Sequence, residues 1–160
     1  MSTYNYAEGT LVSVGKTKGE IEDLLMRHKA TKLFTGQEDG RAIVGFEMAD
    51  RRVQFELRLP AMEQFSHRED QWGHKKARTP EDMLKHWEQA CRERWRALLL
   101  CIKAKLVSTA AGVETFEEAF LAQIVIPGQG TIGARIIPAL PAIYEGQPMP
   151  PLLPPAKGAR

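Results

Sequence analysis

The sequence has no apolar run long enough to cross a bilayer. Ala97–Ile102 and Leu121–Pro127 are among its longest, whereas a spanning helix needs about 20 apolar residues in succession. No membrane partner is therefore expected. Cysteine is scarce, with two in 160 residues. Cys91 and Cys101 fall ten positions apart on one expected helix, about 15 Å along its axis, which is too far for a bridge. Unbridged thiols on or beside an apolar stripe suit a reducing compartment. The opening Met-Ser-Thr-Tyr-Asn-Tyr holds neither a basic nor an apolar stretch, which argues against a secretory signal and makes the cytoplasm the expected location.

Charge of one sign is also missing. The formal net charge is +2, which by itself selects no partner. Residues 1–60 carry nine basic and nine acidic side chains, residues 61–112 ten and seven, and residues 113–160 three and four. The small basic excess thus sits in the middle of the chain. Clustered metal ligands are absent: His67 and His74 flank a polar stretch, His86 stands apart, and there is no Cys-x-x-Cys or His-x-x-x-His. No serine occupies a strand–turn–helix elbow. Gly15-Lys16-Thr17 evokes a phosphate loop, but the glycine that pattern requires at position 10 is Thr10, with Gly9 one residue away. A helix cap with a flexible lead-in is the plainer reading. No catalytic residue, metal or cofactor is expected.

What is present defines an α+β fold. The composition is 43% hydrophobic and 26% charged, so wholesale disorder is excluded. Gly9–Val14 reads as a short strand. Thr17-Lys18-Gly19-Glu20 matches a capping box, followed by Ile21, Leu24, Leu25 and His28 at helical spacing, which predicts a helix over 18–29. Ala30–Thr35, Arg41–Met48 and Arg51–Leu59 are strand-like, joined through Asp39-Gly40 and Ala49-Asp50. Val53, Phe55, Leu57 and Leu59 alternate with Arg52, Gln54, Glu56 and Arg58, so one face is buried and the other meets water or a partner. An antiparallel meander of three to four strands follows.

Residues 61–78 show no sustained period and predict a long basic loop. Thr79-Pro80-Glu81-Asp82 opens a helix with a capping hydroxyl, a proline at the first helical position and acids against the macrodipole. Met83, Leu84, Trp87, Cys91, Trp95, Leu98, Ile102 and Leu106 extend it to about Ser108, roughly 43 Å. Trp87 and Trp95, two turns apart, are candidate anchors for a homodimer. Thr115-Phe116-Glu117-Glu118 is a second capping box, predicting a helix to about Ile126 with Phe116, Phe120, Leu121 and Ile124 inward. Thr131–Tyr144 allows a further helix against Pro138 and Pro141. Five of the ten prolines lie in 146–160, which predicts an extended tail after a single domain over 1–145.

The candidate contact surface is the loop: Arg68, Trp72, His74, Lys75, Lys76 and Arg78 interleave cations with an aromatic. Flexible cations track phosphates, and an aromatic stacks on an unpaired base. Arg92 and Arg96 on the long helix, with Arg52 and Arg58 on the last strand, would extend the same field if they share one concave surface. The plainer reading is a solvated loop and an ordinary polar helix face, with Glu69, Asp70, Glu88 and Glu93 diluting the charge.

Glu93-Arg94-Trp95-Arg96-Ala97-Leu98, Ile102-Lys103-Ala104-Lys105-Leu106 and Thr115-Phe116-Glu117-Glu118-Ala119-Phe120-Leu121-Ala122 resemble uncharacterised proteins encoded by bacteriophages and integrative elements. Gly45-Phe46, Val53-Gln54-Phe55 and the Pro-Pro-Leu-Leu-Pro run at 150–154 are similar too. The resemblance spans most of the chain and implies a setting rather than a mechanism: a replication or recombination accessory, or an inhibitor of host defence. The expectation is a non-enzymatic protein binding nucleic acid, single-stranded and with weak sequence preference. The rival is a module that engages a host protein through the long helix or the sheet edge.

Overall fold

The computed structural model describes residues 9–38, 40–149 and 151. It is α+β, built on a three-stranded antiparallel meander and one long helix.

The expected first strand does not form. Gly9 to Ser13 lie outside any regular element, and helix α1 runs Val14–Arg27. Leu11 is almost wholly exposed, so no partner rewards an extended conformation there. The cap is Ser13, whose side chain accepts from the Lys16 amide at 3.2 Å. Thr17 is instead fully buried, and its hydroxyl donates to the Ser13 carbonyl at 3.2 Å, the back-bond that satisfies a threonine inside a helix. Gly15, Lys16 and Thr17 are therefore first-turn helix and not a phosphate loop. Thr17, Ile21, Leu24 and Leu25 form the buried stripe.

Strands β1 (Thr31–Glu38), β2 (Arg41–Met48) and β3 (Arg51–Arg58) follow in spatial order 1-2-3. Ala49 and Asp50 both adopt positive φ, 50° and 57°, the twist a two-residue hairpin needs. Val44 pairs with Phe55 and Phe46 with Val53, so the alternation read from β3 places these four on the inner face, where all are buried. The opposite outer face carries Gly45, Glu47, Arg52, Gln54 and Glu56 by the same register.

Residues 61–78 depart from the expected loop. A 3₁₀ turn over Met62–Phe65 leads into a hairpin of β4 (His67–Glu69) and β5 (Lys75–Ala77). All six strand residues are exposed. A ribbon wet on both faces has no apolar alternation to advertise it.

Helix α2 spans Pro80–Ala110. Its Thr79 cap accepts from the Asp82 amide at 3.2 Å. Cys91, Trp95, Leu98, Ile102 and Leu106 are its buried residues. The stripe does not reach the first three turns as expected: Leu84 is exposed, and Trp87 is part-buried with its indole N–H donating to the Pro60 carbonyl at 2.8 Å. Cys101 is exposed. Trp95, 1% exposed, is not free as a dimer anchor, and Trp87 is part-buried with its indole N–H already engaged.

Helix α3 is short, Phe116–Phe120, and opens with the expected capping box. Phe120 closes the core, stacked on Phe116 at 4.7 Å and edge-on to Phe46 and Phe55 at 6.1 and 6.2 Å. The chain then turns through a 3₁₀ segment, Leu121–Gln123, and Leu121 points to solvent rather than inward. Ile124 bridges Val53, and β6 (Val125–Ile126) pairs with β7 (Gly130–Thr131) beyond it, so this segment covers the far edge of β3. Helices α4 (Ile132–Ile136) and α5 (Leu140–Tyr144) are separated by a 3₁₀ turn, Ile137–Ala139. Pro138 and Pro141 break what periodicity alone would continue. Of the expected tail, residues 150 and 152–160 lie outside the described residues. No helix among the described residues is long and apolar enough to cross a membrane.

Candidate nucleic-acid interface

The β4–β5 ribbon gathers five of the ten residues singled out from the sequence. Its tip is built by Asp70. One carboxylate oxygen accepts from the amides of Trp72 and His74, each at 2.9 Å, and the other faces His74 Nδ1 at 3.3 Å. The Asp70 amide donates to the His74 carbonyl and the Gly73 amide to the Asp70 carbonyl, both at 3.0 Å. Gly73 takes φ 82°, a conformation that favours glycine. The His74 amide is the largest influence holding the Asp70 carboxyl below the usual carboxylate range; burial opposes it, and the Trp72 amide and the His74 ring add to the lowering. On this ordered tip Trp72 is 73% exposed.

The register sets what each face offers. Arg68 pairs with Lys76, so two cations share one face, while Glu69 opposes Lys75 on the other. Like charges directly opposite repel. Solvent screening blunts the cost, and a bound anion would reverse it. No ion pair holds Arg68, Lys75 or Lys76 among the described residues.

Arg78 stands at the ribbon's base and serves the fold. Its guanidinium donates to the carbonyls of Phe65 at 3.2 Å and His67 at 2.8 Å, and Nε lies 3.2 Å from Asp82. Its amide donates to the Ser66 carbonyl at 2.8 Å. These bonds fasten the ribbon to the start of α2 and leave Arg78 little to give a ligand.

The other four cations are engaged elsewhere, which corrects the expectation of one shared surface. Arg92 donates to Gln89 Oε1 from Nε at 3.1 Å and faces Glu88 at 3.8 Å, beside a cleft of about 270 Å³ with Trp87, Cys91 and Trp95. Arg96 bridges from α2 to Glu20 on α1. Arg52 lies 3.6 Å from Glu47 and Arg58 3.9 Å from Glu56, both on the outer sheet face. Arg94, also on α2, donates to the Arg58 carbonyl. Arg92 and Arg58 meet neighbours two to four residues away in sequence, whereas the partner of Arg96 lies 76 positions off, where sequence spacing does not reveal it.

Two features escaped the sequence reading. Asp70 does more than dilute a basic loop: it builds the turn, for which its spacing to Gly73 is the local signal. Phe34 is half-exposed on the outer sheet face, and no local pattern marks it. Among the described residues no three His, Cys, Asp or Glu side chains gather as metal ligands. Comparison with known proteins returns no matching family model, no matching curated protein and no matching solved structure.

Proposed function

We propose that this chain is a non-enzymatic accessory protein, of the kind mobile genetic elements encode, that binds single-stranded nucleic acid through the β4–β5 ribbon. The observation that carries the reading is the exposed indole of Trp72, on a turn that Asp70 organises, at the tip of a ribbon whose strands set Arg68 opposite Lys76. A base would stack on Trp72, which is worth about 1–3 kcal/mol. Arg68, Lys75 and Lys76 would meet phosphates. With three such contacts, log affinity should fall against log salt with a slope of about −2.

Fluorescence anisotropy of a labelled oligothymidine, titrated with the full chain, tests this. Binding at 50 mM salt is expected, with a loss of roughly tenfold to twentyfold on going to 200 mM and a further loss in Trp72→Ala. No binding at the lower salt removes the proposal. The rival reading, a module engaging a host protein, has the open edge of β1 in its favour. Recovery of one host protein in a pull-down, unaffected by nuclease and lost when the β1 edge is blocked by Thr35→Pro, would support it.

A further inference from the structure

We infer that β1 is a dimerisation edge, on which a second copy of this chain pairs antiparallel to give a continuous six-stranded sheet. The inference stands apart from nucleic-acid binding.

The two ends of the sheet are treated differently. The far edge of β3 is covered by the segment around Ile124, whereas β1 is the outermost strand and pairs only with β2. It is eight residues long and exposed at every position but Leu33, which is half-buried. Its outward amides and carbonyls form a ready template for another strand. The usual protections are thin: there is no proline, and one bulge between Thr31 and Phe34, with Lys32 at φ 51°, marks only its start.

Side-chain complementarity selects the partner. Two copies related by a two-fold axis normal to the sheet keep outer face beside outer face. Residues 34 and 45 are partners, so Phe34, Gly36 and Glu38 belong to the outer face; Lys32 lies in the bulge, where alternation does not place it, but its ammonium meets Glu47 of that same face. With the axis at Thr35, Lys32 opposes Glu38 of the second copy, and Phe34 opposes Gly36 of the second copy. Both matches occur twice. Phe34 beside a glycine repeats the arrangement it already makes with Gly45. An axis at Phe34 would set Lys32 against Gly36 and leave Glu38 without a cation. An axis at Gly36 would set Phe34 against Glu38. Axes between residues would place outer positions opposite inner ones and are excluded by the pleat. Only the register centred on Thr35 matches all four outer positions.

The charges are available for this. Glu38 has no ion pair among the described residues. Lys32 contacts Glu47 at 2.6 Å, but its side chain is 72% exposed, and Glu47 keeps Arg52 at 3.6 Å if Lys32 turns to the second copy. The hydrogen-bonded ladder would run over Leu33–Gln37, closed at each end by a Lys32–Glu38 pair.

Light scattering after size exclusion, over a concentration series at low salt, tests the inference on the full chain. The wild type is expected at twice the monomer mass. Lys32→Glu and Glu38→Lys alone should each halve the mass, because each opposes like charges at both ends. Mixing these two variants should restore the dimer, since every Glu then meets a Lys, and so should the double variant. Circular dichroism confirms that each variant is folded. A wild type that stays monomeric overturns the inference, as does a dimer indifferent to the single reversals, which would place the contact elsewhere. Failure of the mixed variants to associate also overturns it.

Discussion

The ring of Phe34 lies across Gly45 of the neighbouring strand: a Cβ built on Gly45 would stand 2.1 Å from Phe34 Cε1 and 2.2 Å from Cζ. Glycine within a strand ordinarily weakens it by roughly 0.5–1 kcal/mol against alanine. Here its missing side chain is the seat of an aromatic on the outer sheet face. Because the ring is half-exposed and can swing outward, filling the seat should cost about 1 kcal/mol, well short of core overpacking. Gly45→Val is therefore expected to destabilise by that amount in urea denaturation, and much less in a Phe34→Ala background. Equal effects in both backgrounds would show that the ring does not hold this seat.

The capping box of α3 makes a pH-dependent prediction. The Thr115 amide donates to Glu118 Oε2 at 2.7 Å and the Thr115 hydroxyl at 2.8 Å. These two donors, the amide first, hold the Glu118 carboxyl below its ordinary value, with burial opposing weakly. A depressed carboxylate contributes fully above the unfolded pKa, and the contribution is lost as pH falls through the folded one. Thr115→Ala should cost about 1 kcal/mol at neutral pH. The gap from wild type should narrow as pH falls through the depressed Glu118 pKa, as measured by paired thermal melts.

The two thiols should differ in reactivity. Burial, the larger influence, raises the Cys91 thiol, while Arg94 and then Arg92 oppose it. Cys101 is exposed. At neutral pH a thiol-specific chromogenic reagent should titrate one cysteine rapidly and the second only on unfolding. Cys101→Ser should abolish the fast phase and leave the slow one. Two fast thiols in the native protein would contradict the packing of α2.

Asp70 should govern the ribbon tip without governing the fold. In Asp70→Ala the amides of Trp72 and His74 lose their acceptor. The melting temperature should hardly move, since exposed substitutions outside the core usually fall within about 0.5 kcal/mol. Amide exchange at Trp72 and His74 should rise, and oligonucleotide affinity should fall several-fold with the indole still present. The same loosening is expected in the wild type as pH falls through the depressed Asp70 pKa, and not above it. A tip as ordered in the variant as in the wild type would deny Asp70 this role.

The elements legible in the sequence were those whose signals are local. Thr79-Pro80 and Thr115-x-x-Glu118 fixed two helix starts, because a cap is a bond between residues three apart. The alternation along β3 named its buried face for the same reason of proximity. Local signals also misled: Thr17-x-x-Glu20 has the capping pattern, yet Thr17 is a buried residue one turn inside α1, because Ser13 caps first. Of the ribbon of β4 and β5 only the Asp70–Gly73 turn left a local sign, since strands exposed on both faces carry no apolar period.

By itself, then, the sequence determined an α+β chain with a three-stranded meander and a long amphipathic helix, since both follow from periodicity and caps along one stretch of backbone. Only the tertiary structure decided which cations remain available. Arg96 meets Glu20 across 76 positions and Arg94 meets the Arg58 carbonyl across 36, while Arg68 and Lys76 are left facing each other in solvent. Charge in a folded protein is neutralised by neighbours in space, and those neighbours are set by packing between elements rather than by their order in the chain.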